Sequence, residues 1–248
     1  MMELLRISAV SYLNTFPFVY GIRESGDLNN YRLDLDVPSI CAEKLINDQV
    51  DISLVPAGAL TDLDEYHIVA PYCIGAVKEV KTVLLLSKVP LEKISRIYLD
   101  FDSLTSVRLV RVLANHYWKI SPSFVPLEAG HLAGGEQPES VVAIGDKTFG
   151  MRQYYPYIYD LASEWIAYTA LPFVFAIWIS KRELPAEITE PLVRALEYGI
   201  SHKSESLDYF SDRLPDCGDC LGYLEENISY HFDEQKKQGL AKFLKFLR

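Results

Sequence analysis

The sequence predicts an α/β chain of two lobes, with two hinge-crossing strands and a helical C-terminus. Three observations predict it. Strand-like and helix-like stretches alternate through the N-terminal part, which implies parallel strands linked by helices. Two strongly apolar strands of similar length, Thr82 to Ser87 and Phe173 to Ile179, flank an inner α/β unit. A chain that leaves one lobe, builds a second and returns gives that pattern. From Glu183 to Arg248 the periodicity is helical, ending in a stripe of Leu240, Phe243, Leu244 and Leu247. The division this implies is 1–88 plus 173–248 for the first lobe and 89–172 for the second.

Leu5 to Val10 alternates apolar residues with polar or small ones, as a strand does. The run then changes character at Ser11-Tyr12-Leu13-Asn14-Thr15, and Pro17 forces a turn or helix start. A helix follows from Phe18 to Ser25, ending near Gly26. Tyr31 to Val37 alternates strictly and is a strand, and Pro38-Ser39 opens a helix with Ala42, Leu45 and Ile46 on one face. Asp51 to Pro56 reads as a short buried strand, with Ala57-Gly58-Ala59-Leu60 starting another helix. In the inner unit a strand at Arg96 to Asp100 leads to a helix from Ser103 to Trp118, its core stripe Val107, Val110, Ala114 and Tyr117. Strands at Ser123 to Pro126 and Ser140 to Gly145 bracket a glycine-rich loop, Gly130 to Gln137. Phe149 to Tyr154 reads as helix and Tyr157 to Leu161 as strand.

Composition narrows the function classes. With 49% hydrophobic and 23% charged residues, the 248-residue chain can bury a full core. Its 34 acidic against 24 basic residues, a net charge of −10, argue against nucleic-acid or anionic membrane partners. An anion site must then be local, made from helix N-termini and neutral donors. The most apolar stretch, Ala170 to Ile179, carries Pro172 and is too short to span a bilayer. Met1 to Arg6 lacks a signal-peptide pattern, so a cytoplasmic location is expected.

Several chemistries have no motif here. His67, His116, His131, His202 and His231 show no metal spacing. There is no Gly-x-Gly-x-x-Gly, no Gly-x-Ser-x-Gly, and Gly145-Asp146-Lys147-Thr148 lacks the upstream glycine of a phosphate loop. Cys217-Gly218-Asp219-Cys220 has redox or half-zinc spacing without a second pair, and free thiols are expected in a cytosolic chain. No metal and no cofactor are expected.

Three segments are placed to line an interlobe cleft. Ser11-Tyr12-Leu13-Asn14-Thr15 follows a strand end, where open α/β sheets place ligands. Ser103, Thr105 and Ser106 put three hydroxyls at a helix start, where the backbone favours an anion; one alone would suffice for a cap. Ile144-Gly145-Asp146 ends a buried strand on a glycine that lets backbone approach a ligand. Read from the residues alone, this is a two-lobed binder of a small anion.

The same segments carry a resemblance. Val10 to Phe18, Asp51 to Pro56, Thr82 to Pro90, Ser103 to Val107, Ile144-Gly145-Asp146, Glu164-Trp165 and Leu171 to Trp178 resemble, in order, the chorismate dehydratases of the futalosine route to menaquinone. The resemblance implies a type II periplasmic-binding-protein-like fold and loss of water from chorismate to give 3-[(1-carboxyvinyl)oxy]benzoate. It implies catalytic roles for Asn14 and Thr82, Thr82 standing where the family has serine. Ser11, Tyr12, Thr15, Pro56, Ser103, Thr105, Ser106, Gly145 and Asp146 are expected to bind the dicarboxylate. With no histidine or unpaired carboxylate standing out as base, a carboxylate of the substrate is expected to take the proton. Ala170 replaces an expected glycine, read as a packing change. The alternatives are 1,4-dihydroxy-6-naphthoate synthase, a sister enzyme expected to use a histidine, and a non-catalytic anion-binding protein.

Overall fold

A computed structural model describes residues 4–99, 104–127 and 137–248. The alternating strand β1 (Leu5–Val10) lies inside the first sheet, in parallel register with β2 (Tyr31–Asp36) at its edge and β3 (Ile52–Pro56) on its other side. The crossovers run through α1 (Phe16–Glu24) and α2 (Pro38–Ile46). Each has proline in its first turn, where the missing N–H leaves no bond unmade. A single 3₁₀ stretch, Ala57–Asp62, follows β3 in place of a full helix. β4 (His67–Ala76) then crosses the sheet antiparallel to β10 (Phe173–Ser180), which itself pairs antiparallel with β3. With β11 (Ser229–His231) at the edge, the six strands lie in the order β11-β4-β10-β3-β1-β2.

The second sheet has five strands, β7-β6-β8-β5-β9, formed by β5 (Val83–Ser87), β6 (Arg96–Leu99), β7 (Ser123–Pro126), β8 (Ser140–Ile144) and β9 (Tyr157–Asp160). Its helices are α3 (Leu104–Leu113), α4 (Lys147–Met151) and α5 (Leu161–Thr169); a π turn at Ala114–Trp118 closes α3 on Lys119 in the left-handed region. The C-terminal part holds α6 (Ala186–Ser201), α7 (Lys203–Tyr209), α8 (Cys220–Glu226) and α9 (Glu234–Phe246). The expected strand end at Asp100, helix start at Ser103 and most of the Gly130 to Gln137 loop lie outside the described residues.

Two expectations change here. The chain leaves the first sheet before β5, not after it: β5 lies between β8 and β9 in the second sheet, and only β10 returns to the first. Both strands are wholly buried, and burial alone does not say which sheet a strand joins. The cysteines of the Cys-x-x-Cys turn are joined as a disulfide, where free thiols were expected. Gly218 at φ +70° tightens the turn and brings the two Cα atoms to 5.5 Å, within disulfide reach. Cys41 and Cys73 are free, and burial pushes both thiols up to about 12.

One side chain braces the outgoing crossing. Asp160, at the end of β9, takes the backbone N–H groups of Val80 (3.0 Å) and Lys81 (2.7 Å) on one oxygen. Its other oxygen takes those of Ala162 and Ser163, both at 3.1 Å, and so caps α5. The outgoing segment is thus fastened to the start of α5, the helix that leads back to β10. Trp165 of α5 sits edge-on to Phe173 of β10 and to Phe243 and Phe246 of α9, which seats the last helix across the junction. Among the described residues no helix is long and apolar enough to cross a membrane.

Candidate active site

Parallel strands send their carboxyl ends the same way, and the helices that follow them start there. In this chain those starts converge on a cavity between the lobes. It is lined by Asn14 and Thr15 at the entry to α1, Pro38 at that of α2, Pro56 before the 3₁₀ stretch, and Ser106 in the first turn of α3. Tyr12, Thr82 and Gly145 complete the polar lining; Val10, Ile74, Val80, Val83, Ile144, Phe175 and Ala176 supply the apolar wall. No charged side chain is among these lining residues. The positive ends of the helices and neutral donors are what the cavity offers an anion.

The volume is about 50 Å³, room for a few waters. The cavity is partly open to solvent, and contacts between the lobes border it. Several contacts join the lobes, among them the Arg108 guanidinium of α3 on the Gly58 carbonyl, the Thr61 hydroxyl and the Asp62 carboxylate. The Leu13 backbone N–H donates to the Asp146 carboxylate at 3.1 and 3.2 Å. The Tyr12 ring lies on Gly145, whose left-handed φ of +70° and missing side chain leave the space; a Cβ there would sit 2.9 Å from the ring. The Thr105 hydroxyl accepts from the Gly58 N–H (2.9 Å) and donates to the Phe175 carbonyl (3.1 Å). Gly58 is required for that approach, since a Cβ would come within 2.8 Å of the Thr105 backbone.

The structure brings together Tyr12, Asn14, Thr15, Pro56, Thr82, Ser106 and Gly145 of the expected set. Asp146 stands just behind them, and burial raises its carboxyl to about 6 against the pull of the Leu13 N–H. Thr105 does different work: its hydroxyl is fully used between the lobes, because the helix start that carries it is pressed onto the 3₁₀ stretch. Ser11 is exposed, its N–H bound to the Asp36 carbonyl, and does not line the cavity. Ser103 lies outside the described residues.

One buried residue escaped the sequence reading. The Tyr223 hydroxyl is 2.8 Å from the Thr82 hydroxyl, and the Asn14 side chain stands near enough to stabilise its oxygen. Burial, with the Asp146 charge adding to it, holds this phenol neutral well above its ordinary range. Tyr223 and Thr82 are 141 positions apart, so no motif spacing reveals the pair.

Comparison with known proteins bears on fold and family. A curated chorismate dehydratase of Thermus thermophilus is 26% identical over 95% of this chain and 92% of its own length. A solved Archaeoglobus fulgidus protein superposes with a TM-score of 0.75 at 17% identity, covering 98% of this chain and 96% of that one. A Candida albicans protein described as having the generic periplasmic-binding-protein fold gives 0.68 at 14% identity, over 98% and 90%. The alkanesulfonate-binding protein of Xanthomonas axonopodis, solved with MOPS bound, gives 0.63 at 14%, over 98% and 92%. The fold is therefore the two-lobed periplasmic-binding-protein-like α/β fold, with a mainly helical C-terminal part. The sequence model of a menaquinone biosynthesis family matches residues 5–248, and the chain belongs to that family.

Proposed function

We propose that this protein is a chorismate dehydratase, a carbon–oxygen lyase that removes water from chorismate to give 3-[(1-carboxyvinyl)oxy]benzoate for menaquinone. The observation that carries the reading is the lining of the interlobe cavity: Asn14 and Thr82 both line it, the Tyr223 hydroxyl is bonded to Thr82 with Asn14 beside it, and uncharged donors and helix starts stand around them. The near full-length likeness to the Thermus thermophilus enzyme supports it.

In the proposed reaction the C3 proton leaves to a base, its electron pair forms the C3–C4 double bond, and the C4 hydroxyl departs as water with a second proton. The ring becomes aromatic, so the chemistry needs little push. The protein must hold the dicarboxylate in the reactive conformer and keep bulk water out, a positioning role. Asn14 donates from its amide to the departing hydroxyl and Thr82 bonds the C3 side. Ser106 and the starts of α1 and α3 hold carboxylate oxygens. Among the described residues no carboxylate or imidazole lines the cavity, which fits a substrate carboxylate as the base. His67, His116, His202 and His231 are absent from that lining, so they give no support to the histidine-dependent 1,4-dihydroxy-6-naphthoate synthase; His131 lies outside the described residues. A biosynthetic role of this kind fits a cytoplasmic location.

The test is direct: purified protein incubated with chorismate alone, followed by mass spectrometry. The reading expects a product lighter by one water. Binding of chorismate without turnover would favour the anion-binding alternative.

A further inference from the structure

We propose that Tyr223 is a positioning residue for this site, its hydroxyl fixing which end of the Asn14 amide faces the cavity and holding the Thr82 hydroxyl in place. The inference rests on the dehydratase reading for its kinetic consequence, though not for its geometry.

The hydrogen-bond directions follow from the partners. The Asn14 Oδ1 takes the Thr15 hydroxyl proton at 3.0 Å, which turns the amide NH₂ toward the Tyr223 oxygen and the cavity. The Tyr223 hydroxyl then donates to Thr82 Oγ1 at 2.8 Å, and the Thr82 hydroxyl reaches on to the Val80 carbonyl at 3.4 Å. A chain of donors thus runs from Tyr223 through Thr82 to the backbone of the outgoing crossing, with the Asn14 amide beside its start. Asn14 also lines the cavity, so in this order its amide is set to meet substrate as a donor. Were the amide to turn over, its oxygen would face a departing hydroxyl that needs a proton.

Tyr223 is itself well fixed. Its ring meets the Phe149 ring of the second lobe edge-on at 5.4 Å between centroids. The start of α8 is capped by Asp219, which takes the Gly222 N–H at 2.8 Å from within the Cys217–Cys220 disulfide loop. Its far end is tied by Asn227, whose side-chain amide donates to the Glu79 carbonyl at 3.0 Å. The helix therefore moves with the crossing segment that carries Val80 and Thr82. Because ring and hydroxyl have separate contacts, Phe removes one without the other.

The experiment is Tyr223→Phe, alone and combined with Thr82→Val, read by chorismate kinetics and by NMR of the Asn14 side-chain amide. That resonance is assigned by its loss in Asn14→Ala. The inference expects kcat to fall about tenfold or more with KM within about threefold, and the melting temperature to stay near wild type. The double variant should lose no more than Thr82→Val alone, since both cut one chain. In Tyr223→Phe the Asn14 amide protons should shift and exchange faster with water. Unchanged kcat with an unmoved Asn14 resonance, or losses that multiply in the double variant, would overturn the inference. If the wild-type protein leaves chorismate intact, the dehydratase reading fails, and the Asn14 resonance still decides the role of Tyr223.

Discussion

The Asp146 carboxylate of the second lobe receives the Leu13 backbone N–H of the first, at 3.1 Å through its nearer oxygen. Leu13 begins the 3₁₀ turn that carries Asn14, so this bond ties lobe closure to the placement of the amide. Burial raises the Asp146 carboxyl from 3.8 to about 6. The folded state thus binds this proton more tightly than the unfolded chain, and the contribution of Asp146 to stability declines as pH rises from about 4 to about 6. Asp146→Asn keeps an acceptor for the N–H and does not titrate. Its melting temperature relative to wild type should therefore improve between pH 4 and pH 7. A difference that stays constant over that range would contradict the assignment.

Thr82 stands where the resembled family has serine, and what the site uses is its hydroxyl. Thr82→Ser is expected to keep kcat within about threefold. Thr82→Val strands the buried Tyr223 hydroxyl and should lower both activity, by about tenfold or more, and stability, by about 1–3 kcal/mol. Steady-state kinetics and urea titration read the two effects separately.

Asp160 is predicted to be the main fastening of the hinge. Asp160→Ala removes the cap of α5 and leaves the Val80 and Lys81 N–H groups without their acceptor. A loss of about 2 kcal/mol is expected, measured as a lower urea midpoint with an unchanged slope. Lys81 already holds φ +64°, a conformation that needs its neighbours to enforce it.

Ala170 offers the opposite change. It ends α5 at φ +58°, in the left-handed region that glycine enters freely. The glycine expected at this position is thus a matter of backbone conformation, where a packing change was expected. Ala170→Gly should stabilise by about 1 kcal/mol, a rise of a few degrees in melting temperature.

Much of the fold was legible because alternation and apolar stripes report burial directly. β1, β2, β3 and α2 stand within a residue or two of where the pattern puts them. β4 was missed because Pro71 and Gly75 interrupt a stretch with no clean period, and β11 because three residues inside a helical region are too few to show one. The sheet to which β5 belongs depends on pairing with β8, more than 50 residues away, which no local pattern encodes. At the site, polar residues at strand ends pointed to Tyr12, Asn14, Thr15 and Gly145, all in the cavity lining. Thr105 looked the same in sequence as Ser106, and only the packing of α3 on Gly58 separates their roles. Tyr223 gave no signal at all, since its partners come from the other end of the chain.

The central claim is that Asn14 carries the elimination of water from chorismate. The measurement that tests it is product formation by wild type and Asn14→Ala, side by side at equal folded concentration, followed by mass. The account predicts dehydrated product from the wild-type protein and a loss of about a hundredfold or more in the variant, with chorismate still protecting it against heat. Equal turnover by the two proteins would contradict it.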